Sequence, residues 1–393
     1  MRIGVLTTSY PRFEGDVAGV FVRGMARALA ARGHTLEVLA PQPAAGEAPL
    51  TDPGVTLRWI DYGAGLRTFY GAGVPDNVRR DPRAWPGLLS FPRALLEETR
   101  ARAQSWDALV SHWALPSALV AGRVRGERPH LAVLHSADVH LMARLPLSGR
   151  IAARVGASAD ELWFASNALR KRFLHLLAPV PRARLASRAH ASAMGVELEP
   201  PSASRRALRQ RLRFDRFTLL SVGRLVPIKG LRHAIDAIGG DAGVQLVIAG
   251  EGPSQLELAR RAAQRRARVR FLGVRTGRDK ADLFAAADAL VLPSIELSSG
   301  RTEGTPTVVL EAARAGLPVV ASASGGVAEL FDEESAWLVP PADVDALRRA
   351  LRACALEPGA RRSKAAAARE IGEAFTWEVL APRFEDLLER NLP

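Results

Sequence analysis

A chain of 393 residues that is 48% hydrophobic and 24% charged has the composition of a globular protein, too long for one ordinary domain and comfortable for two. Its single cysteine, Cys354, excludes an internal disulfide, and no apolar run approaches the ~18 residues of a membrane-spanning helix. The net charge is +13, yet the 54 basic residues include only four lysines, Lys171, Lys229, Lys280 and Lys364; the excess is spread along the chain, which argues against a nucleic-acid partner and for phosphorylated ligands or an anionic membrane surface.

Elements alternate from the start. Arg2–Thr8 reads as a strand, with an apolar run too short for a secretory signal, so the expected location is cytoplasmic, with peripheral contact at the inner membrane face allowed by the charge. A helix over Val17–Arg32 stops at Gly33, and Thr35–Pro41 and Val55–Ile60 read as strands. Residues 61–87 are rich in Gly, Pro, Tyr, Trp and Arg without periodicity. Helices follow near 90–104, from Pro116, near 147–157 and from Ala168, between strands at Ala108–Trp113, Leu131–Ser136, Glu161–Ser166 and His190–Val196. Alternation of this kind predicts a parallel sheet covered on both faces.

Glu199–Ser204 has linker composition, and the pattern then restarts. Strands are predicted at Phe217–Gly223, Val244–Gly250, Val269–Val274, Ala289–Ser294, Pro318–Ser322 and Trp337–Val339, with helices between and after them. The α/β chain therefore predicts two Rossmann-like, doubly wound domains, 1–198 and 199–374, facing each other across a cleft at the carboxyl ends of the strands.

The stretch from Arg301 to Ala313 carries the most chemistry. Thr305 is a candidate N-cap and Pro306 a first helical residue, leaving the N–H groups of Thr307 and Val308 for a phosphate. Glu303 precedes the helix, and Glu311 lies five residues past Pro306, about 7–8 Å along the axis. A nucleoside diphosphate sugar has that layout of sugar, diphosphate and ribose. Nearby in the fold pattern, Gly223-Arg224 and Lys229-Gly230 offer two cations at a strand end. Ala249-Gly250-Glu251-Gly252 closes the next strand, and no Gly-x-Gly-x-x-Gly fingerprint opens either half, which disfavours a nicotinamide enzyme.

These motifs, with Glu303 and Glu311 spaced Glu-x7-Glu before Ala315-Gly316-Leu317-Pro318, resemble those of the retaining GT-B glycosyltransferases of family 4. Ser9-Tyr10-Pro11, Gly15-Asp16, Gly19, Arg32-Gly33-His34, His112-Trp113, His135 with Asp138, and Gly195-Val196-Glu197 extend the resemblance over the whole chain. Two positions depart from it: Ser136 stands where glycine is frequent, and Glu197 where aspartate is usual.

The resemblance implies a role for each matching residue. Glu311 would hold ribose hydroxyls. Glu303, with Gly304 and Thr305, would hold the transferred sugar. Arg224, Lys229, Thr307 and Val308 would bind the diphosphate beside Gly223 and Gly250, and Val274 and Arg275 would hold the base. Gly15, Asp16 and Gly19 would approach acceptor and donor phosphates, with His135 at the reaction centre; His112 and Asp138 are further candidate substrate-binding residues. Trp377–Leu388 would be a terminal helix, within 375–393, returning to the first domain. Trp85, Tyr70, Arg79 and Arg80 are candidate acceptor-lining residues.

The expected reaction moves a sugar from a UDP- or GDP-sugar to a hydroxyl of a glycan, a lipid-linked acceptor or a small molecule, in polysaccharide, glycolipid or secondary-metabolite glycoside synthesis. The nucleotide sugar is a co-substrate; no cofactor and no metal are expected, since Asp343-Val344-Asp345 opens a helix where aspartates serve as caps. Two rivals stay open: a nucleotide-sugar 2-epimerase of the same architecture, and a binding module without turnover.

Overall fold

The computed structural model describes residues 1–43, 50–63, 68–70, 74, 77–78, 81–298, 300 and 302–393. Arg79, Arg80 and Arg301 lie outside the described residues. The chain forms two compact units, Met1–Gly195 with Trp377–Pro393, and Val196–Thr376.

In the first unit seven strands pair in parallel: β1 (Arg2–Leu6), β2 (Thr35–Pro41), β3 (Val55–Ile60), β4 (Ala108–His112), β5 (His130–Leu134), β6 (Glu161–Phe164) and β7 (Ala189–Ala191). Their spatial order is β3-β2-β1-β4-β5-β6-β7. Every residue of β4 and β5 is buried, as expected of central strands covered on both faces. The order reverses between β1 and β4, so the loops leaving those strands open a crevice. Gly15, Asp16 and Gly19 lie after β1 and His112 ends β4, whereas His135 and Asp138 follow β5.

Three helices depart from the expected pattern. Ser136–Met142 follows β5 directly and shortens that strand to Leu134; Asp138, its third residue, accepts from the His135 N–H. Pro179–Ala186 is a helix not assigned from the sequence; it has prolines at 179 and 181, which suit a first turn. Arg205–Leu212 starts where the linker ends, with Ser204 as its cap, accepting from the Ala207 N–H. Its arginines bind the second unit: Arg209 donates to Asp288 at 2.8 Å and Arg211 to Asp282 at 2.5 Å.

The second unit contains β8 (Phe217–Val222), β9 (Val244–Ala249), β10 (Val269–Phe271), β11 (Ala289–Leu292), β12 (Val319–Ser322) and β13 (Trp337–Val339). They pair in parallel in the order β10-β9-β8-β11-β12-β13. Leu219, Leu246, Ile248, Val291 and Val320 form its core with Leu231, Ile235, Leu347 and Leu351 from two covering helices.

Helix Trp377–Glu389 belongs to the first unit. Trp377 fills space left by Gly24 and Gly195, where a Cβ would come within 2.2 and 2.4 Å of the indole. Phe384 packs on Trp163 with ring centroids 4.5 Å apart. Arg32 and His34 both bind Glu385, His34 at 2.8 Å. Among the described residues, no helix is long and apolar enough to cross a membrane.

Candidate functional site

Three loops of the second unit stack at the carboxyl edge of its sheet. Gly250 lies so close to the loop after β8 that a Cβ there would sit 1.9 Å from the Gly223 carbonyl oxygen. Gly250 also pairs with Gly273 after β10. Only backbone fits in such layers, and the residue after each glycine is exposed: Arg224, Glu251 and Val274. Arg224 is exposed on the first loop, and Val274 and Arg275 are exposed on the third.

The β8 loop ends in a short turn, Pro227–Lys229, closed by Gly230 at φ 60°. A Cβ on Gly230 would meet the Pro293 carbonyl at 1.9 Å, so this turn lies directly on the loop after β11. The contact delivers Lys229 to Glu303, with Nζ 2.6 Å from Oε1. Ser294 donates from Oγ to the other carboxylate oxygen of Glu303 at 2.6 Å. Sequence reasoning missed Ser294, which carries no motif signal.

The cap expected at Thr305 is corrected. The helix runs Thr307–Arg314, and Pro306 holds the N-cap position with an extended ψ of 121° and no side-chain cap bond. Thr305 is therefore one residue too far back to cap the first turn. Its hydroxyl lies against Gly326, where a Cβ would approach Oγ1 to 1.9 Å, and the Gly326 N–H donates to the Gly304 carbonyl at 2.9 Å. The amides of Thr307 and Val308 still open the helix without intrahelical acceptors. Glu311, 7% exposed, sits on this helix, and Lys280 from helix Gly277–Ala286 meets its Oε2 at 2.9 Å. Lys280 is the second residue that sequence reasoning missed.

The first unit holds a different constellation. Gly15 (φ 90°) and Gly19 (φ 65°) shape the loop after β1; at Gly19 a Cβ would meet the Ser9 carbonyl at 2.3 Å. Asp16, expected to face ligand, is turned into its own loop. It accepts from Arg12 Nε at 2.6 Å, from the Arg12 N–H at 3.0 Å and from the Ala18 N–H at 3.1 Å. Burial pushes its carboxyl up, but the Arg12 and Ala18 donors outweigh burial and leave it below its ordinary range. Tyr70 is also buried, its hydroxyl donating to the Pro41 carbonyl, whereas Trp85 is exposed.

His112 and His135 stack at 5.5 Å with Nδ1 and Nε2 3.2 Å apart, in one cluster with Phe21 and Trp113. Trp113 is held at φ 69°, a strained position for a bulky residue. Burial lowers the His135 ring to about 3 and drives His112 well below its ordinary value, so both rings are neutral at neutral pH. Asp138 accepts from the N–H groups of His135 at 2.9 Å and Ala114 at 2.8 Å, tying together the loops after β4 and β5. Burial raises its carboxyl to about 7, against the pull of these amide donors.

Comparisons with known proteins agree with this geometry. Residues 204–371 match the family described as Glycosyl transferases group 1, and residues 18–189 match the Glycosyl transferase 4-like domain. The chain belongs to the family 4 glycosyltransferases. This glycosyltransferase has the GT-B fold. It resembles the Mycobacterium tuberculosis GDP-mannose-dependent alpha-(1-6)-phosphatidylinositol monomannoside mannosyltransferase, at 28% identity over 98% of each chain. The glycogen synthase of the same organism is also 28% identical, over 97% of this chain and 92% of that one. Sucrose-phosphate synthase from Thermosynechococcus elongatus superimposes with a TM-score of 0.79 at 22% identity, covering 99% of both chains. These relatives act on unlike substrates, so family membership alone leaves this glycosyltransferase's donor and acceptor open.

Asp343 of the glycosyltransferase caps helix Val344–Leu356 through the Ala346 N–H at 2.8 Å, and Asp345 pairs with Arg348. Among the described residues there is no group of three or more metal-ligating side chains.

Proposed function

We propose that this glycosyltransferase moves a hexosyl group from a nucleoside diphosphate sugar to a hydroxyl acceptor, with retention of anomeric configuration and no metal ion. One observation carries the reading: two carboxylates, Glu303 and Glu311, each paired with a lysine, flank the N-terminus of helix Thr307–Arg314. Glu311 accepts from ribose hydroxyls, and Glu303 from hydroxyls of the transferred sugar. Arg224, Lys229 and the amides of Thr307 and Val308 take the diphosphate. Val274 and Arg275 border the base.

Negative charge grows on the diphosphate as the glycosidic bond breaks. Cations fixed beside it stabilise that state more than the bound donor, which lowers the barrier. Lys229 can serve both neighbours, because an ammonium has three rotatable donors and can keep Glu303 while meeting a phosphate. Departure and attack on the same face of the sugar follow. Inversion would need a base, and His135 with a ring at about 3 is a poor one at neutral pH. The acceptor is assigned to the loops of the first unit, near Gly15, Gly19 and Trp85. A cytoplasmic enzyme touching an anionic membrane surface suits the net charge of +13.

GDP-mannose is the donor to try first, since a relative is named as dependent on it; UDP-sugars come second. Calorimetry with GDP and UDP should show binding of at least one, and binding of neither would overturn the donor class. Proton NMR of the first-formed glycoside should then show an α linkage from an α-linked donor. A β linkage would overturn retention.

A further inference from the structure

Four lysines stand among 54 basic residues, and two of the four pair with the two donor-facing carboxylates. In a chain that uses arginine almost everywhere, the choice of lysine at both places points to a difference in chemistry. A guanidinium is a flat fork that takes both oxygens of a carboxylate at once. An ammonium is a point charge that can take one. At this helix the cation is an ammonium, with Lys280 Nζ 2.9 Å from Oε2 of Glu311. The lysine side chain is 21% exposed and the glutamate side chain 9%, so the pair lies at a surface that a ligand can reach.

We propose that Lys280 is a positioning residue that sets ribose specificity: it holds Glu311 through Oε2 and orients the carboxylate for the vicinal hydroxyls of a ribonucleotide. This rests on the assignment of Glu311 to the ribose. A carboxylate without Lys280 would turn among several rotamers and would lie uncompensated in a largely buried position. A carboxylate held by arginine would have both oxygens occupied. Lysine alone leaves it half free. Lys280 reaches the glutamate from helix Gly277–Ala286, directly after the loop of Val274 and Arg275, so base and ribose recognition are joined through one short segment.

The test is calorimetry with GDP against 2′,3′-dideoxy-GDP, and with UDP against its dideoxy form, on the parent, Lys280→Met, Lys280→Arg and Glu311→Gln, with melting curves as the check on folding. The parent should prefer the ribonucleotide by about ten-fold or more, the worth of a hydrogen bond to a charged group. Lys280→Met should bring that ratio close to one while dideoxy affinity stays near the parent's. Lys280→Arg, which keeps the charge, should narrow the ratio too. A parental ratio in Lys280→Met, with the ratio lost in Glu311→Gln, would overturn the role of Lys280 and leave Glu311 on the ribose. A parental ratio in both would overturn the ribose assignment itself. Equal loss for both nucleotides in Lys280→Met, with unchanged melting, would make Lys280 a phosphate cation and refute its positioning role.

Discussion

The two units of this glycosyltransferase handle their polar groups in opposite ways. In the second unit, Glu303 and Glu311 are each matched by a lysine, and each pair lies partly open. In the first, His112, His135 and Asp138 are buried, with Asp138 bound to backbone amides and both imidazoles neutral. An ion pair near the surface costs little to rearrange, because water replaces what is lost. A buried carboxylate bonded to amides cannot let go without orphaning them. The contrast fits the proposed roles: exchange with a charged ligand in the second unit, and loops held in place in the first.

The largest effect expected from this contrast is on turnover. Lys229→Ala should lower the rate by around two to three powers of ten, as loss of one oxyanion donor does elsewhere, while nucleotide affinity falls far less. Single-turnover rates set beside calorimetric affinities would separate the two. A fall in affinity equal to the fall in rate would mean that Lys229 binds ground state and transition state alike.

Asp138→Ala tests the other side. It strands the His135 and Ala114 amides, and stability should fall by about 3 kcal/mol with the melt still cooperative. Six of the seven tryptophans, all but Trp337, lie in the first unit, so tryptophan fluorescence reports on it. An unchanged fluorescence melt would show that the loops do not depend on this carboxylate.

Glu311→Gln should weaken free nucleoside diphosphate by about 1.5–3 kcal/mol, whereas Glu303→Gln should spare it and weaken only the sugar-bearing donor. Equal losses for both ligands in both variants would erase the proposed division into ribose and sugar ends.

Acid should expose a smaller difference. Seven of the eight histidines lie in the first unit, all but His233. Burial holds His130 at about 4 and His135 at about 3 in the folded chain, below the unfolded value. The unfolded state then binds the extra protons, so the stability these rings contribute is present above about pH 6.5 and is lost as pH falls toward 4 and 3. Asp138 works the other way: raised to about 7, its contribution is present at acid pH and shrinks between about 4 and 7. Fluorescence melts of Asp138→Asn should thus show steeper acid destabilisation than the parent, and a parallel pH dependence would contradict the raised carboxyl. The smallest effect expected is none: turnover should survive EDTA, since side chains supply the donor-side charge. Loss in chelator with rescue by Mg²⁺ would refute that.

Much of this contrast could be read before any coordinates. The strands were legible because β4, β5 and β11 are short, mostly apolar runs, buried at every position. Glu303 and Glu311 stood out by their spacing around a helix start. Lys280 did not, because it lies in a charged run, Arg278-Asp279-Lys280, that reads as a solvated helix face. Asp16 was expected, by resemblance, to approach the ligands from its loop; only the folded loop turns Arg12 and two amides onto it. The Thr305 cap failed for a local reason, since Pro306 took the extended cap geometry itself and moved the first turn one residue on. Helix Ser136–Met142 is too short for periodicity to reveal, and its signal, an aspartate reaching back to the preceding amide, has the same letters as an acid on a loop.

The second unit leaves the first after Gly195 and returns to it at Trp377. Its two ends adjoin: Val196 bridges Thr376, and the Val196 N–H donates to the Phe375 carbonyl at 2.9 Å. Topologically it is a segment set within the first unit whose two cut points are neighbours, the arrangement in which domain insertion is best tolerated. On the proposed assignment, exchanging the segment between those two points would trade donor preference while the first unit kept its acceptor, and Trp377, seated between Gly24 and Gly195, would close each chimera on the same latch.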